Sequence, residues 1–196
     1  FGGHGPFPEH KLSSFSGNKL WDWGVFPETD SLMTDDKIAR WGVEMLEKKS
    51  DKPFFLGLGF VSPHVPLYAP EKWFKLFPEE NIQLPETFRN DLEDISLYAQ
   101  NLTRSSHHLE PSQEWIQENR QWENLVQAYL ATISFTDHQV GKIIDALEKS
   151  EYRDNTYIIL LGDNGFHLGE KRRWGKQTLW EESTRVPLII AGPGIT

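Results

Sequence analysis

A short apolar run, Tyr157-Ile-Ile-Leu-Leu-Gly162, ends abruptly at Asp163-Asn164-Gly165, and His167, Glu170 and Lys176 follow closely. The adjacent Asp163 and Asn164 side chains offer hard oxygens, which suit Ca²⁺ or Mg²⁺ better than zinc. The same residues also suit a tight Asn-Gly turn that needs no metal. A second apolar run, Pro53 to Phe60, leads into Ser62-Pro-His-Val-Pro66. Each proline fixes its own φ and pushes the preceding residue into extended geometry, so His64 sits on a stiff loop. In an open α/β sheet, ligands bind outside the carboxyl ends of strands. Two such ends would bring His64 and the Asp163 cluster to one crevice. A divalent cation, a lysine and one or two histidines make a receptor for a tetrahedral oxyanion. Lys171, Arg172 and Arg173 either join Lys176 in a cationic pocket or form a solvated basic turn.

The elements that must position these groups can be read in order. Residues 1–33 are a loop-rich opening without sustained period, anchored by Trp21 and Trp23. Thr34 reads as an N-cap followed by two acids, and Ile38, Trp41, Met45 and Leu46 recur at helical spacing, giving a helix over 35–49. Residues 53–60 read as a strand buried on both faces. A short helix runs from Glu71 to Phe77. Residues 78–111 are a polar, aperiodic excursion that shapes a site or is flexible. Residues 112–150 are helical, a short helix followed by a long one. On the long helix Val126, Leu130, Ile133, Val140, Ile144 and Leu147 form a stripe interrupted by Asp137. An acid on a buried face is either hydrogen-bonded by its surroundings or catalytic. Thr156–Gly162 and Val186–Ala191 are further strands, with one or two helical turns over Thr178–Ser183. Apolar runs between helices predict an α/β fold with a largely parallel sheet flanked by helices, within one domain over 1–196.

Composition narrows the function. At 196 residues, 38% hydrophobic and 25% charged, the chain can bury a sizeable core and holds no run long enough to span a bilayer. A formal charge of −9 argues against nucleic acid as a partner. The absence of cysteine excludes thiolate nucleophiles and Cys-ligated zinc.

Several motifs, in order, resemble a known family. Gly162-Asp-Asn-Gly-Phe-His-Leu-Gly-Glu170, Trp174-Gly-Lys176 and Glu182-Ser-Thr-Arg-Val-Pro-Leu-Ile189 are similar to the formylglycine-dependent sulfatases of the alkaline-phosphatase superfamily. Pro53 through Pro66, Tyr68-Ala-Pro-Glu-Lys-Trp73 and Phe135-Thr-Asp-His-Gln-Val-Gly-Lys142 look most like the iduronate-2-sulfatase branch. The resemblance runs from about residue 30 to the end. It implies part of an alkaline-phosphatase-like sandwich and a sulfuric ester hydrolase acting on a sulfated carbohydrate, glycosaminoglycan-like or another sulfated polysaccharide. Asp163 and Asn164 match the family's calcium-binding pair, although the iduronate branch often has His at the second place. Lys176 matches the lysine on the sulfate and leaving-group oxygen, and His64 the histidine that protonates the departing alcohol. His167 and Glu170 are assigned pocket-shaping or substrate-contact roles. Asp137 falls where the family often keeps an acid, which favours the structural reading.

The resemblance also implies what lies elsewhere. The family's nucleophile is a formylglycine made from Cys or Ser in a C/S-x-P-x-R motif, near two further calcium-binding acids, all upstream of the matched region. This chain has no such motif. It therefore reads as the middle and late part of a catalytic domain, with half of one Ca²⁺ site, a missing amino-terminal partner region and no turnover by itself. The resemblance further implies export, to a periplasmic, extracellular or lysosome-like space. Two other readings remain open: a two-metal phosphatase or phosphodiesterase of the same superfamily, and a non-catalytic carbohydrate-binding or scaffold fragment using Trp21, Trp23, Trp73 and Trp174.

Overall fold

Trp21 and Trp23, both about 5% exposed, tie the amino-terminal segment to the core. The structure, a computed structural model, describes residues 3–105 and 110–195. Strand β1 (Trp23–Val25) is followed by helix α1 (Thr34–Leu46), strand β2 (Leu67–Ala69), helices α2 (Glu71–Phe74), α3 (Leu97–Ser105) and α4 (Gln113–Glu118), and the long helix α5 (Trp122–Lys149). Strands β3 (Ile158–Leu161), β4 (His167–Leu168) and β5 (Trp174–Gly175), helix α6 (Glu181–Thr184) and strand β6 (Leu188–Ala191) complete the order. This mixture of helices and strands is the α/β class.

Helix α5 organises the core. Leu125, Ala128, Ala131 and Phe135 are fully buried, and the small side chains let the β1–β2 pair approach the helix closely. The buried face therefore differs from the expected stripe. Ile133 is 39% exposed, and Asp137 is exposed. A stripe drawn through large apolar residues misses a face built on alanines and on Thr132, whose hydroxyl donates to the Ala128 carbonyl at 3.1 Å. Asp137 thus has no burial to offset.

Helix α1 lies against α5, and its Ile38, Ala39 and Leu46 are buried. Met33, not Thr34, stands at its N-cap position, without a side-chain cap bond. The Thr34 hydroxyl instead donates to the Gly5 carbonyl at 2.7 Å. Asp36 ties the two helices together, accepting from Arg40 at 2.8 Å and from Lys142 at 2.6 Å.

The sheet expectations are changed in direction and in burial. β1 and β2 are parallel, with Trp23 opposite Leu67, whereas β3–β6 and β4–β5 are antiparallel. Pro53–Phe60 forms no ladder among the described residues. Leu56, Leu58 and Phe60 are half-covered, with Leu58 against Gly42 of α1, but Phe55 is 95% exposed. β3 alternates in the same way, Ile159 and Leu161 being open. A continuous apolar run encodes two faces able to be buried; here the described residues cover one.

Candidate active site

The Asp163 cluster is built by a strand end and a hairpin. β3 stops at Leu161, and the chain passes through Asp163-Asn164 into β4, which pairs back on β5 with His167 opposite Gly175 and Leu168 opposite Trp174. That return brings Lys176 to Asn164, and its ammonium donates to Asn164 Oδ1 at 2.9 Å. Lys176 sits between Gly175 (φ 88°) and Gln177 (φ 69°), a left-handed conformation that a non-glycine residue such as Gln177 adopts at a cost. The hairpin is fixed from behind. Trp174, 1% exposed, donates its indole N–H to Gln113 at 2.7 Å, and Trp122 donates to the Leu168 carbonyl at 2.8 Å. Phe166 stacks on Tyr129 with ring centroids 5.2 Å apart.

The Asn-Gly turn reading fails on geometry. Neither Asn164 nor Gly165 has positive φ, which a two-residue type I′ hairpin requires at both positions. Gly165 is needed for close approach instead: a Cβ there would lie 2.1 Å from the Glu182 carbonyl oxygen. Its own N–H donates to the Ser183 carbonyl at 2.8 Å. The Asn164 amide donates to the Gly165 carbonyl at 2.8 Å, which turns Oδ1 away from the backbone and toward Lys176. Asp163 is exposed, and among the described residues no hydrogen bond or ion pair engages its carboxylate. Asp163 and Asn164 therefore offer hard oxygens at adjacent positions, and the Asn164 oxygen already accepts from the Lys176 ammonium. They fit as part of a Ca²⁺ site. Six to eight oxygens are needed for a whole one, and among the described residues no group of three or more His, Asp or Glu could hold a metal.

His64 comes to the same place from the loop after residue 60. Its Nδ1 lies 2.6 Å from the Val65 carbonyl. A carbonyl only accepts, so Nδ1 carries a proton and Nε2 is the nitrogen left to face a ligand. Partial burial lowers the His64 pKa. The Val65 carbonyl opposes this, Lys176 and His4 lower it further, and Asp163 raises it. His64, Lys176 and Asp163 thus share one electrostatic neighbourhood. Beside them runs a cleft lined by His4, Pro6, Thr34, Ser62, His64 and Tyr68. His4, which sequence reasoning did not single out, packs its ring on His64 with centroids 4.5 Å apart. A histidine among glycines in an aperiodic segment carries no signal that could have found it.

The remaining candidates are structural in their contacts. His167 is fully buried, with Nδ1 3.2 Å from the Glu170 carbonyl and Nε2 2.8 Å from Thr178 Oγ1, which in turn lies 2.9 Å from Ser183 Oγ. Both ring nitrogens are engaged within the protein, and burial lowers its pKa. Glu170 accepts the Leu168 N–H at 2.6 Å, closing its own turn.

The basic run is neither a cationic pocket nor a solvated turn. Lys171 pairs with Asp91 at 2.6 Å, Arg172 with Glu114, and Arg173 with Glu110 at 3.4 Å. All three acids come from the excursion or the helix it leads into. Burial raises the Glu110 pKa to about 7 even though Arg173 pulls it down. Of the four tryptophans considered for a sugar platform, Trp21, Trp23 and Trp174 are buried, while Trp73 is half-buried and donates its indole N–H to Asp30 at 2.9 Å.

Comparisons with known proteins point the same way. The Sulfatase family model matches residues 13–196. A sulfatase of Formosa agariphila is 43% identical over 98% of this chain and 40% of its own length. Human iduronate 2-sulfatase is 30% identical over 91% of this chain and 34% of its own length. The chain thus spans 40% or less of these relatives. Among solved structures, a phosphonate monoester hydrolase from Silicibacter pomeroyi superposes with a TM-score of 0.71 at 20% identity, covering 85% of this chain and 34% of that one. A protein in complex with its substrate D-glucosamine-2-N,6-O-disulfate superposes with a TM-score of 0.60 at 19% identity, covering 81% of this chain and 43% of that one. At such identities the structural likeness concerns the fold, which is the alkaline-phosphatase-like α/β fold of sulfatases. The family match over nearly the whole chain places it without ambiguity: this chain belongs to the sulfatase family.

Proposed function

We propose that the chain supplies the leaving-group side of a sulfatase active site acting on a sulfated carbohydrate, with His64 and Lys176 as the working side chains. The observation that carries this reading is the convergence of His64, Lys176 and Asp163 from segments about a hundred residues apart in sequence. Lys176 holds a sulfate oxygen and the bridging oxygen, offering a positive charge where negative charge develops. His64, held by the Val65 carbonyl on Nδ1, donates a proton from Nε2 to the departing sugar oxygen. Asp163 and Asn164 hold part of the calcium site, and the ion, when bound, neutralises sulfate oxygens. The nucleophile, a formylglycine by family likeness, is not among these residues, so the chain alone should not turn over. The name of iduronate 2-sulfatase supports a sulfated sugar, a uronate 2-O-sulfate, as substrate; export to a periplasmic, extracellular or lysosome-like space is part of the same proposal. No helix among the described residues is long and apolar enough to cross a membrane.

The test is sulfate release by the full-length protein from a sulfated uronic acid, with a phosphonate monoester as the competing substrate. Sulfate release should fall at least 100-fold in Lys176→Ala and in His64→Ala. Faster turnover of the phosphonate than of the sulfate ester would overturn the sulfatase reading.

A further inference from the structure

The turn that carries His64 is gripped from two sides by residues that touch neither Lys176 nor Asp163. Asp35, in the first turn of α1 and 1% exposed, accepts the Val61 N–H on Oδ1 at 2.8 Å and the Ser62 N–H on Oδ2 at 2.9 Å. From the other side, α5 presents Thr136, whose hydroxyl lies 3.3 Å from the Ser62 carbonyl and 3.0 Å from the Thr132 carbonyl of its own helix. Pro63 has no N–H to give, and the next backbone bond, from the His64 N–H to the Val61 carbonyl at 2.9 Å, ties the histidine back to the residue that Asp35 holds. The same end of α1 also holds the neighbouring wall of the cleft, since Thr34 binds the Gly5 carbonyl at 2.7 Å, next to His4.

A carboxylate at a helix N-terminus is favoured by the dipole, and hydrogen bonds to an ionised acceptor are stronger and more directional than neutral ones. Two of them fix both the distance and the rotation of the Val61–Ser62 backbone relative to α1. A buried acid whose task was core stability could bond any nearby backbone. This one bonds the two residues immediately before Pro63-His64, so its displacement would move the imidazole rather than the packed face of α1.

We propose that Asp35 is a positioning residue for His64, with the first turn of α1 setting where the imidazole stands relative to Lys176. The proposal rests on the reading of His64 as proton donor to the leaving alcohol. Asp35 itself contacts no reacting atom.

The experiment compares two sulfate esters in the full-length protein. A uronic acid 2-O-sulfate has a leaving alcohol that needs protonation, whereas 4-nitrophenyl sulfate releases a phenolate that does not. Asp35→Asn retains the shape but can accept at one oxygen only. It should lower kcat about 100-fold on the sugar sulfate, the scale of loss for a misplacement of roughly 1 Å. On the aryl ester the loss should stay below about 5-fold, with KM unchanged on both. In a His64→Ala background the further loss from Asp35→Asn should be below about 3-fold, because residues acting as a unit are not additive. If His64→Ala alone lowers both esters equally, the reading of His64 fails and takes the proposal with it. If His64→Ala discriminates between the esters but Asp35→Asn does not, the positioning role alone is overturned. Should Asp35→Asn fail to fold, Thr136→Val carries the same comparison. A selective loss of roughly 10-fold on the sugar sulfate supports the proposal, and an unselective or absent effect overturns it.

Discussion

Replacing Glu110 by Gln should stabilise the protein at pH 8 while leaving it unchanged near pH 4.5. Glu110 lies behind the Lys176 turn with its side chain 12% exposed, paired at 3.4 Å with Arg173, which is 1% exposed. Burial dominates the balance and lifts the carboxyl from 4.5 to about 7, with Arg173 opposing. Between those two values the unfolded chain releases a proton that the folded protein keeps. The folded state therefore binds more protons there, and its stability declines as pH rises through that window. At about 1.4 kcal/mol for each pH unit of difference, the accumulated cost above pH 7 is roughly 3 kcal/mol. Gln mimics the protonated carboxyl and does not ionise, so the variant should lack this decline. Urea denaturation of both proteins from pH 4.5 to 8.5 measures the difference directly, and the histidines cancel in the comparison. Curves that run parallel across this range, or a variant less stable at pH 8, would refute the argument that desolvation outweighs the ion pair.

Three further outcomes are expected. By NMR titration the His64 midpoint should lie below that of an ordinary histidine; Lys176→Ala should raise it and Asp163→Asn lower it, the directions set by their charges, and shifts of opposite sign would contradict the shared neighbourhood. In the full-length protein, chelation should abolish sulfate release and added Ca²⁺ restore it, and Asp163→Ala should weaken calcium binding at least about 10-fold by calorimetry, loss of a direct carboxylate ligand being at least as severe as loss of an outer-shell partner. Gly165→Ala should destabilise by about 3 kcal/mol or more, because its Cβ would press on the Glu182 carbonyl oxygen at 2.1 Å while the backbone is tethered to Ser183; wild-type stability in a denaturant titration would show that the turn can shift.

Much of the local structure was legible in the residue pattern. The helices over Thr34–Leu46 and Trp122–Lys149 follow from apolar spacing, and the role of Trp21 and Trp23 as anchors follows from their isolation in an aperiodic segment. What the pattern could not carry is the identity of partners. Lys171-Arg172-Arg173 reads the same whether solvated or paired, and its acids lie 58 to 80 positions away for Glu114 and Asp91. Asp35 looks like any acid in a first helical turn until the Val61 and Ser62 N–H groups arrive on it. The apolar run at Ile158–Leu161 announces a strand without stating its direction or how many faces are covered, and the run at Pro53–Phe60 announces a strand that pairs with nothing among the described residues. Asp163-Asn164-Gly165 shows the limit most clearly, since a tight hairpin turn and the passage without positive φ seen here share a sequence.

The pairing of Lys171, Arg172 and Arg173 with acids of the excursion and α4 bears on how specificity could be re-engineered. A natural plan would be to graft the 78–111 segment of another sulfatase and leave the Lys176 hairpin alone. Here that exchange would remove the acids that meet Lys171 and Arg173, the second of them fully buried, although the bonds from Trp174 to Gln113 and from Trp122 to Leu168 would still hold the hairpin. The excursion and the residues 170–177 behave as one module and should be exchanged together.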